Sequence, residues 1–161
     1  MGEWGRHCSM NLNNNWQIKN QENCIEWFCN NKQAVDFING LFYCVEFWDD
    51  LIDKDQIITN EKINECMQWL FLSLPSNDWF IHNRASYLPI MKIAINAFYD
   101  ANSLADNKRK HLKNLAFHLR NTSTEIIIMT TYLCGGEAHL RAYSENIRQW
   151  YAFEKFDDWN K

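Results

Sequence analysis

The chain is expected to fold as an all-α bundle of about five to seven helices in a single domain, and three observations predict it. Its 161 residues fall in the range of one domain. Only 5 Gly and 2 Pro punctuate that length, too few turn formers for a sandwich or barrel that needs a turn every 8–12 residues or so. Long segments repeat apolar residues at steps of three and four. Apolar residues at 47% and charged residues at 22% match ordinary globular usage and exclude a disordered or fibrous chain. Aromatics at 15%, with 8 Trp, supply large buried areas for a core.

The elements follow in order. Residues 1–15 read as irregular, and a moderately amphipathic helix is predicted from Trp16 to Asn30, with Ile25, Trp27 and Phe28 on its apolar side. The pattern strengthens from Gln33 to Ile52, through Val35, Phe37, Ile38, Leu41, Phe42, Val45, Phe47, Trp48 and Leu51; its length requires a helix. Thr59 suits the N-cap of a third helix carrying Ile63, Met67, Leu70 and Leu72, ending before Pro75. Ser76 or Asn77 can cap a short piece with Trp79 and Phe80. Pro89 fits the first turn of the next helix, Leu88 to Ala101, with Ile93, Ile95 and Phe98 apolar. The longest helix is expected from Asn107 to Cys134, stopped by Gly135 and Gly136. Within it Ile126, Ile127, Ile128, Thr130 and Thr131 are β-branched and suit a strand, but no partner strand is evident and helix is retained. A last helix runs from Glu137 to Phe153, and residues 155–161 form a polar tail.

A formal charge of −4 offers no global basic field, so duplex nucleic acid is not an expected partner. No run of about 18 apolar residues marks a membrane span, because Glu46, Asp49 and Asp50 interrupt the richest stretch. The 6 Cys lack C-x-x-C spacing and read as reduced core thiols, and the start lacks the apolar run of a signal peptide, so an intracellular location is expected. Cys24 and Cys29 with His7 do not match the ligand spacing of structural zinc. Trp4, Trp150 and Trp159 near the termini could anchor an oligomer interface.

The strongest chemical lead lies on the second helix. At 100° per residue Glu46, Asp49, Asp50 and Asp53 share an arc of about 100° with Asn39, on a helix otherwise apolar. Four acids there repel one another unless water or cations screen them. Magnesium is the natural neutraliser, since it takes carboxylate oxygens and keeps waters that a phosphate can displace. A second polar stripe, His111, Asn114, His118, Asn121 and Glu125, recurs on the long helix. Facing the first, its Glu125 and Asn121 would complete a metal shell and His118 would act as a general base. Arg120, Lys92, Arg84 and Arg141 are the cations available to a diphosphate. Against these stand plainer readings: a solvated acidic face with Lys54 beside it, a solvated His stripe, and a solvated cluster at Lys108, Arg109, Lys110 and Lys113.

Asp49-Asp50-Leu51-Ile52-Asp53 reads D-D-x-x-D and resembles the first aspartate-rich motif of class I isoprenoid synthases, helical enzymes that hold magnesium and a substrate diphosphate. The likeness covers five residues, and no second motif of the N-D-x-x-S-x-x-x-E kind accompanies it. Glu46-x-x-Asp49 followed by Asp50-x-x-Asp53 also resembles the paired acidic motifs of all-α nucleotide pyrophosphohydrolases, without the second E-x-x-D of that family. The segments FWDDLIDKDQIITNEKIN and HLRNTSTEIIIMTTYLCGGE, with the spacing between them, resemble a group of small uncharacterised bacteriophage proteins; this implies a phage-encoded chain and no particular activity.

Two function classes therefore fit. In the first, the chain is a magnesium-dependent enzyme or binder of nucleotide or isoprenoid diphosphates: Asp49, Asp50 and Asp53 hold metal, Glu46 and Glu125 complete the shell or orient water, and Arg120, Asn121 and Lys92 meet substrate. In the second it is a non-catalytic phage protein, either a virion component or an accessory factor that binds a host protein through aromatic surface; a homo-oligomer is a further possible assembly. The expected location is cytoplasmic, that of the host if the chain is phage-encoded, or the virion.

Overall fold

A computed structural model of the chain describes residues 14–54, 56–152 and 155–156, with side chains from residue 19 onward except that of Asp53. Every regular element among them is helical, so the all-α class holds. The chain divides into two compact units, Met1–His82 and Asn83–Lys161.

In the first unit α1 (Asn14–Trp27) and α2 (Lys32–Asp53) are joined by a reversal at Cys29 and Asn30, both with positive φ. The Asn31 carboxamide then accepts from the Ala34 N–H at 3.1 Å, a side-chain cap that starts α2 within two residues of the predicted position. Cys24, Trp27, Phe28, Val35, Phe37, Ile38, Leu41 and Phe47 are buried and form the core of this unit. Cys29 is exposed, unlike the core thiol expected of it: it sits in the reversal, where its side chain leaves the helical pattern.

α3 (Asn60–Gln68) is capped as predicted, the Thr59 hydroxyl accepting from the Lys62 N–H at 3.2 Å. A π-helical turn (Trp69–Ser73) and a 3-10 turn (Leu74–Ser76) containing Pro75 follow. Asn77 caps α4 (Asp78–Ala105), accepting from the Phe80 N–H at 2.8 Å, while its own amide donates to the Gln33 carbonyl at 3.0 Å. Phe80 stacks on Phe37 with ring centres 5.3 Å apart. The separate helices expected around Trp79 and from Leu88 are one: α4 runs through Pro89. Pro89 forfeits the bond to the Ala85 carbonyl, but both residues are exposed, where water can take the released acceptor.

In the second unit, α5 (Lys110–Arg120) and α6 (Thr124–Tyr151) replace the single helix predicted from Asn107 to Cys134. A 3-10 turn at Asn121–Ser123 separates them, with the Thr122 hydroxyl donating to the Leu119 carbonyl at 2.8 Å. Such short polar side chains offer the backbone alternatives to helical bonding. The β-branched run is helical and buried. Thr130 and Thr131 return their hydroxyls to the carbonyls of Ile126 and Ile127 at 2.8 and 3.0 Å, and Thr130 also meets the buried Tyr87 hydroxyl at 2.9 Å. Burial and satisfied hydroxyls override the strand preference.

The predicted stop at Gly135 and Gly136 is a kink, after which helix resumes to Tyr151. Gly136 has φ 74° and ψ −171°, a region reserved for glycine. Gly136→Ala is expected to lower stability by about 1–3 kcal/mol in chemical denaturation. The side chain itself would meet nothing within 4 Å, so equal stability would show that the kink carries no backbone constraint. Met1–Asn13 lie outside the described residues, as do the expectations for Trp4, His7, Cys8 and Trp159. Asn14 and Asn15, expected irregular, are helical.

Candidate acidic site

The acidic stripe sits near the C-terminal end of α2, and the helix turns its Asp49 and Asp50 inward. Asp49 and Asp50 are only 8% and 4% exposed, and Glu46 is half-buried. A solvated face therefore does not describe them. The side chain of Asp53 lies outside the described residues.

What meets the stripe is a lysine. α2 ends at Lys54 in left-handed backbone, the short stretch to Thr59 returns the chain, and the Thr59 cap sets Lys62 in the first turn of α3. From there its ammonium donates to Asp50 Oδ2 at 2.7 Å and lies 5.9 Å from the centre of the Tyr43 ring. Tyr43 in turn donates its phenol to Glu65. Cys44 and Cys66 complete the α2–α3 seam, the Cys44 Sγ 4.0 Å from the Cys66 carbonyl. An ammonium thus supplies, at Asp50, the neutralisation expected of magnesium.

The electrostatics agree with this geometry. Burial pushes the Glu46 carboxyl above its ordinary range; Lys62 opposes the rise, and the charges of Asp50 and Asp49 add to it. Burial alone would pull the Lys62 ammonium down, but its hydrogen bond to Asp50 and the charges of Asp50 and Glu46 outweigh that and hold it above its usual value. Tyr43 is raised by burial and then by its bond to Glu65. The Cys44 thiol is pushed up to about 12 by burial and by neighbouring Cys66, so it stays protonated and poorly nucleophilic near neutral pH.

A pH dependence follows. Glu46 binds its proton more tightly in the folded state than in the unfolded one, so its contribution to stability is fully present below its ordinary value of 4.5 and is lost as pH rises through the folded value. Glu46→Gln is expected to raise the melting temperature at pH 7 and to remove that part of the decline between acid and neutral pH. A lower melting temperature at pH 7 would mean that attraction to Lys62 outweighs the burial of the charge.

The second polar stripe belongs to the other unit. The turn at Asn121–Ser123 breaks its helical recurrence. His111, His118 and Asn121 are exposed, with His118 edge-on to Phe117 at 5.7 Å between ring centres. Arg120 lies over the Phe98 ring at 5.5 Å. Glu125 is held by both oxygens from Arg148, at 2.9 and 2.7 Å. Lys92 and Arg84 are exposed on α4, and Arg141 pairs with Glu137 one turn away on α6. Glu125 and Arg120 are thus engaged by Arg148 and Phe98, which sequence reasoning did not assign to them. Lys108, Arg109 and Lys110 are exposed, in keeping with a solvated face, whereas Lys113 of the same cluster is half-buried.

Among the described residues no three His, Cys, Asp or Glu side chains converge as a metal-holding group. A groove of about 410 Å³ in the second unit is lined by Asp100, Ser103, Leu104, Leu115 and Leu119, none of them a residue singled out from sequence. No helix among the described residues is long and apolar enough to cross a membrane. Compared with protein-family models, with curated proteins and with solved structures, the chain matches none.

Proposed function

We propose that this chain works by binding another protein rather than by catalysis, in line with its likeness to small phage proteins. The observation that carries the reading is the π-helical turn after α3. Leu70, Phe71 and Leu72 are three consecutive large apolar residues, all exposed, with Phe71 at 71% and Leu72 at 65%. Sequence periodicity expects Leu70 and Leu72 on the inner side of a third helix. The turn at Trp69–Ser73 seats Trp69 against α2 at Gly40 and leaves the three residues after it outward. Exposed apolar runs of this kind cost solubility and persist where they are used, and π-turns recur at functional sites.

The test is a photo-crosslinking amino acid in place of Phe71, in the cell that makes the protein. One discrete protein adduct is expected, lost when Leu72→Asp is added and absent when the probe replaces exposed Lys32. No adduct at position 71, or the same adducts from both positions, would overturn the reading.

A second reading, a magnesium-diphosphate site on α2, draws support from the inward-facing Asp49 and Asp50 with Glu46 beside them. It requires Asp50 to exchange the Lys62 ammonium for a metal. A magnesium response in a thermal melt separates the two readings.

A further inference from the structure

We infer that the partner of the Leu70–Leu72 turn is a basic protein, with an apolar cleft that takes the turn and cationic side chains around that cleft. The inference rests on the protein-binding reading above and names the chemistry of the partner that reading requires.

Contacts within the first unit fix what surrounds the turn. α3 runs back along α2, with Lys62 at Asp50, Glu65 at Tyr43 and Trp69 at Gly40. The turn therefore emerges toward the start of α2, where Asn77 bonds the Gln33 carbonyl and the Gln33 amide donates to Asp78 at 3.2 Å. The charged side chains there are acidic. Asp36 is exposed one turn before Gly40, Glu65 one turn before Trp69, and Asp78 at the head of α4. None of the three belongs to an ion pair among the described residues. Cations are scarce on the same stretch: between Gln33 and His82 nine Asp and Glu stand against two lysines. Lys62 is held by Asp50, and Lys54 caps the far end of α2, about 21 Å along the helix from Gly40.

An apolar centre with a charged rim gives an interface its contact area from the one and its choice of partner from the other. A rim of negative charge repels nucleic acid, anionic membrane surfaces and acidic proteins, and draws in a basic one. Leu70, Phe71 and Leu72 follow one another around a single turn and project to different sides, so a concave site covers them and a flat one does not.

The test irradiates the Phe71 photo-crosslinking variant of the full chain in an extract of the cells that make it. The captured protein is expected to carry net positive charge, and the adduct yield to fall about tenfold from about 50 to about 500 mM sodium chloride. Asp36→Lys is expected to lower the yield about threefold, and Asp36→Lys with Glu65→Lys about tenfold, with unchanged far-UV circular dichroism because both positions are exposed. Asp106→Lys with Glu145→Lys, exposed acids of the second unit that change net charge equally, should leave the yield within about twofold. An adduct that survives salt and both reversals, or that the second-unit pair weakens as much, would overturn the basic partner and leave the docking turn standing. No adduct in any condition would overturn the docking reading itself, and this inference with it.

Discussion

Lys62→Met is expected to destabilise the protein by about 2–4 kcal/mol, a fall in melting temperature of roughly 5–15 °C. The methylene stem is kept, but Asp50, 4% exposed, loses its 2.7 Å ammonium partner and is left as a buried carboxylate beside Glu46 and Asp49. Removing one partner of a buried pair costs far more than the pair itself contributes, because the remaining charge is uncompensated. The cost lies toward the lower end for such pairs because Lys62 is a quarter exposed and water can reach its place. The penalty is expected to shrink in acid, where carboxylates protonate, and to be partly relieved by adding Asp50→Asn. A Lys62→Met variant as stable as wild type at pH 7 would mean that Asp50 does not depend on this ammonium.

Gly40→Ala is expected to destabilise by about 2–3 kcal/mol, although alanine in a helix interior ordinarily gains about 1 kcal/mol over glycine. A Cβ at position 40 would overlap the Nε1 and Cε2 atoms of Trp69, so the indole must leave the face of α2. That indole holds the π-turn carrying Leu70, Phe71 and Leu72, and the substitution reaches the proposed binding surface through it. In a Trp69→Ala background the same change should become neutral or favourable. A stabilising Gly40→Ala in the wild-type chain, read by urea denaturation, would show that Trp69 does not pack there.

Much of the fold is legible in one dimension because helices declare themselves locally. The sustained apolar period places both ends of α2 within two residues and the Thr59 cap places the start of α3, but α3 ends at Gln68, short of the Leu70 and Leu72 it was expected to carry. The breaks are harder. Asn121-Thr122-Ser123-Thr124 carries the hydroxyl and amide residues of a turn, and Thr122-x-x-Glu125 has the spacing of a capping box, but the apolar period across it favoured continuation. Pro89 looked like a helix start and is interior, because an exposed carbonyl can lose its partner to water.

The site was legible in part. Periodicity located the acids on one stripe and could not say which way they faced; burial of Asp49 and Asp50 answers that. Lys62 was missed although its signal was present, since a capped α3 a few residues after α2 places its first turn near the last turns of α2. The exposed Phe71, Leu72, Ile93 and Tyr99 were unreadable, because an apolar residue looks the same in sequence whether it faces a core or a partner.

The central claim is that Asp50 of the acidic stripe is neutralised from within, by Lys62, and we propose that magnesium and pyrophosphate do not displace this ammonium. The most direct test is a thermal melt of the purified wild-type protein, alone, with millimolar magnesium, and with magnesium plus pyrophosphate. The account predicts the same melting temperature in all three, to within about 1 °C. A rise of several degrees that needs magnesium and pyrophosphate together would contradict it and restore the diphosphate reading.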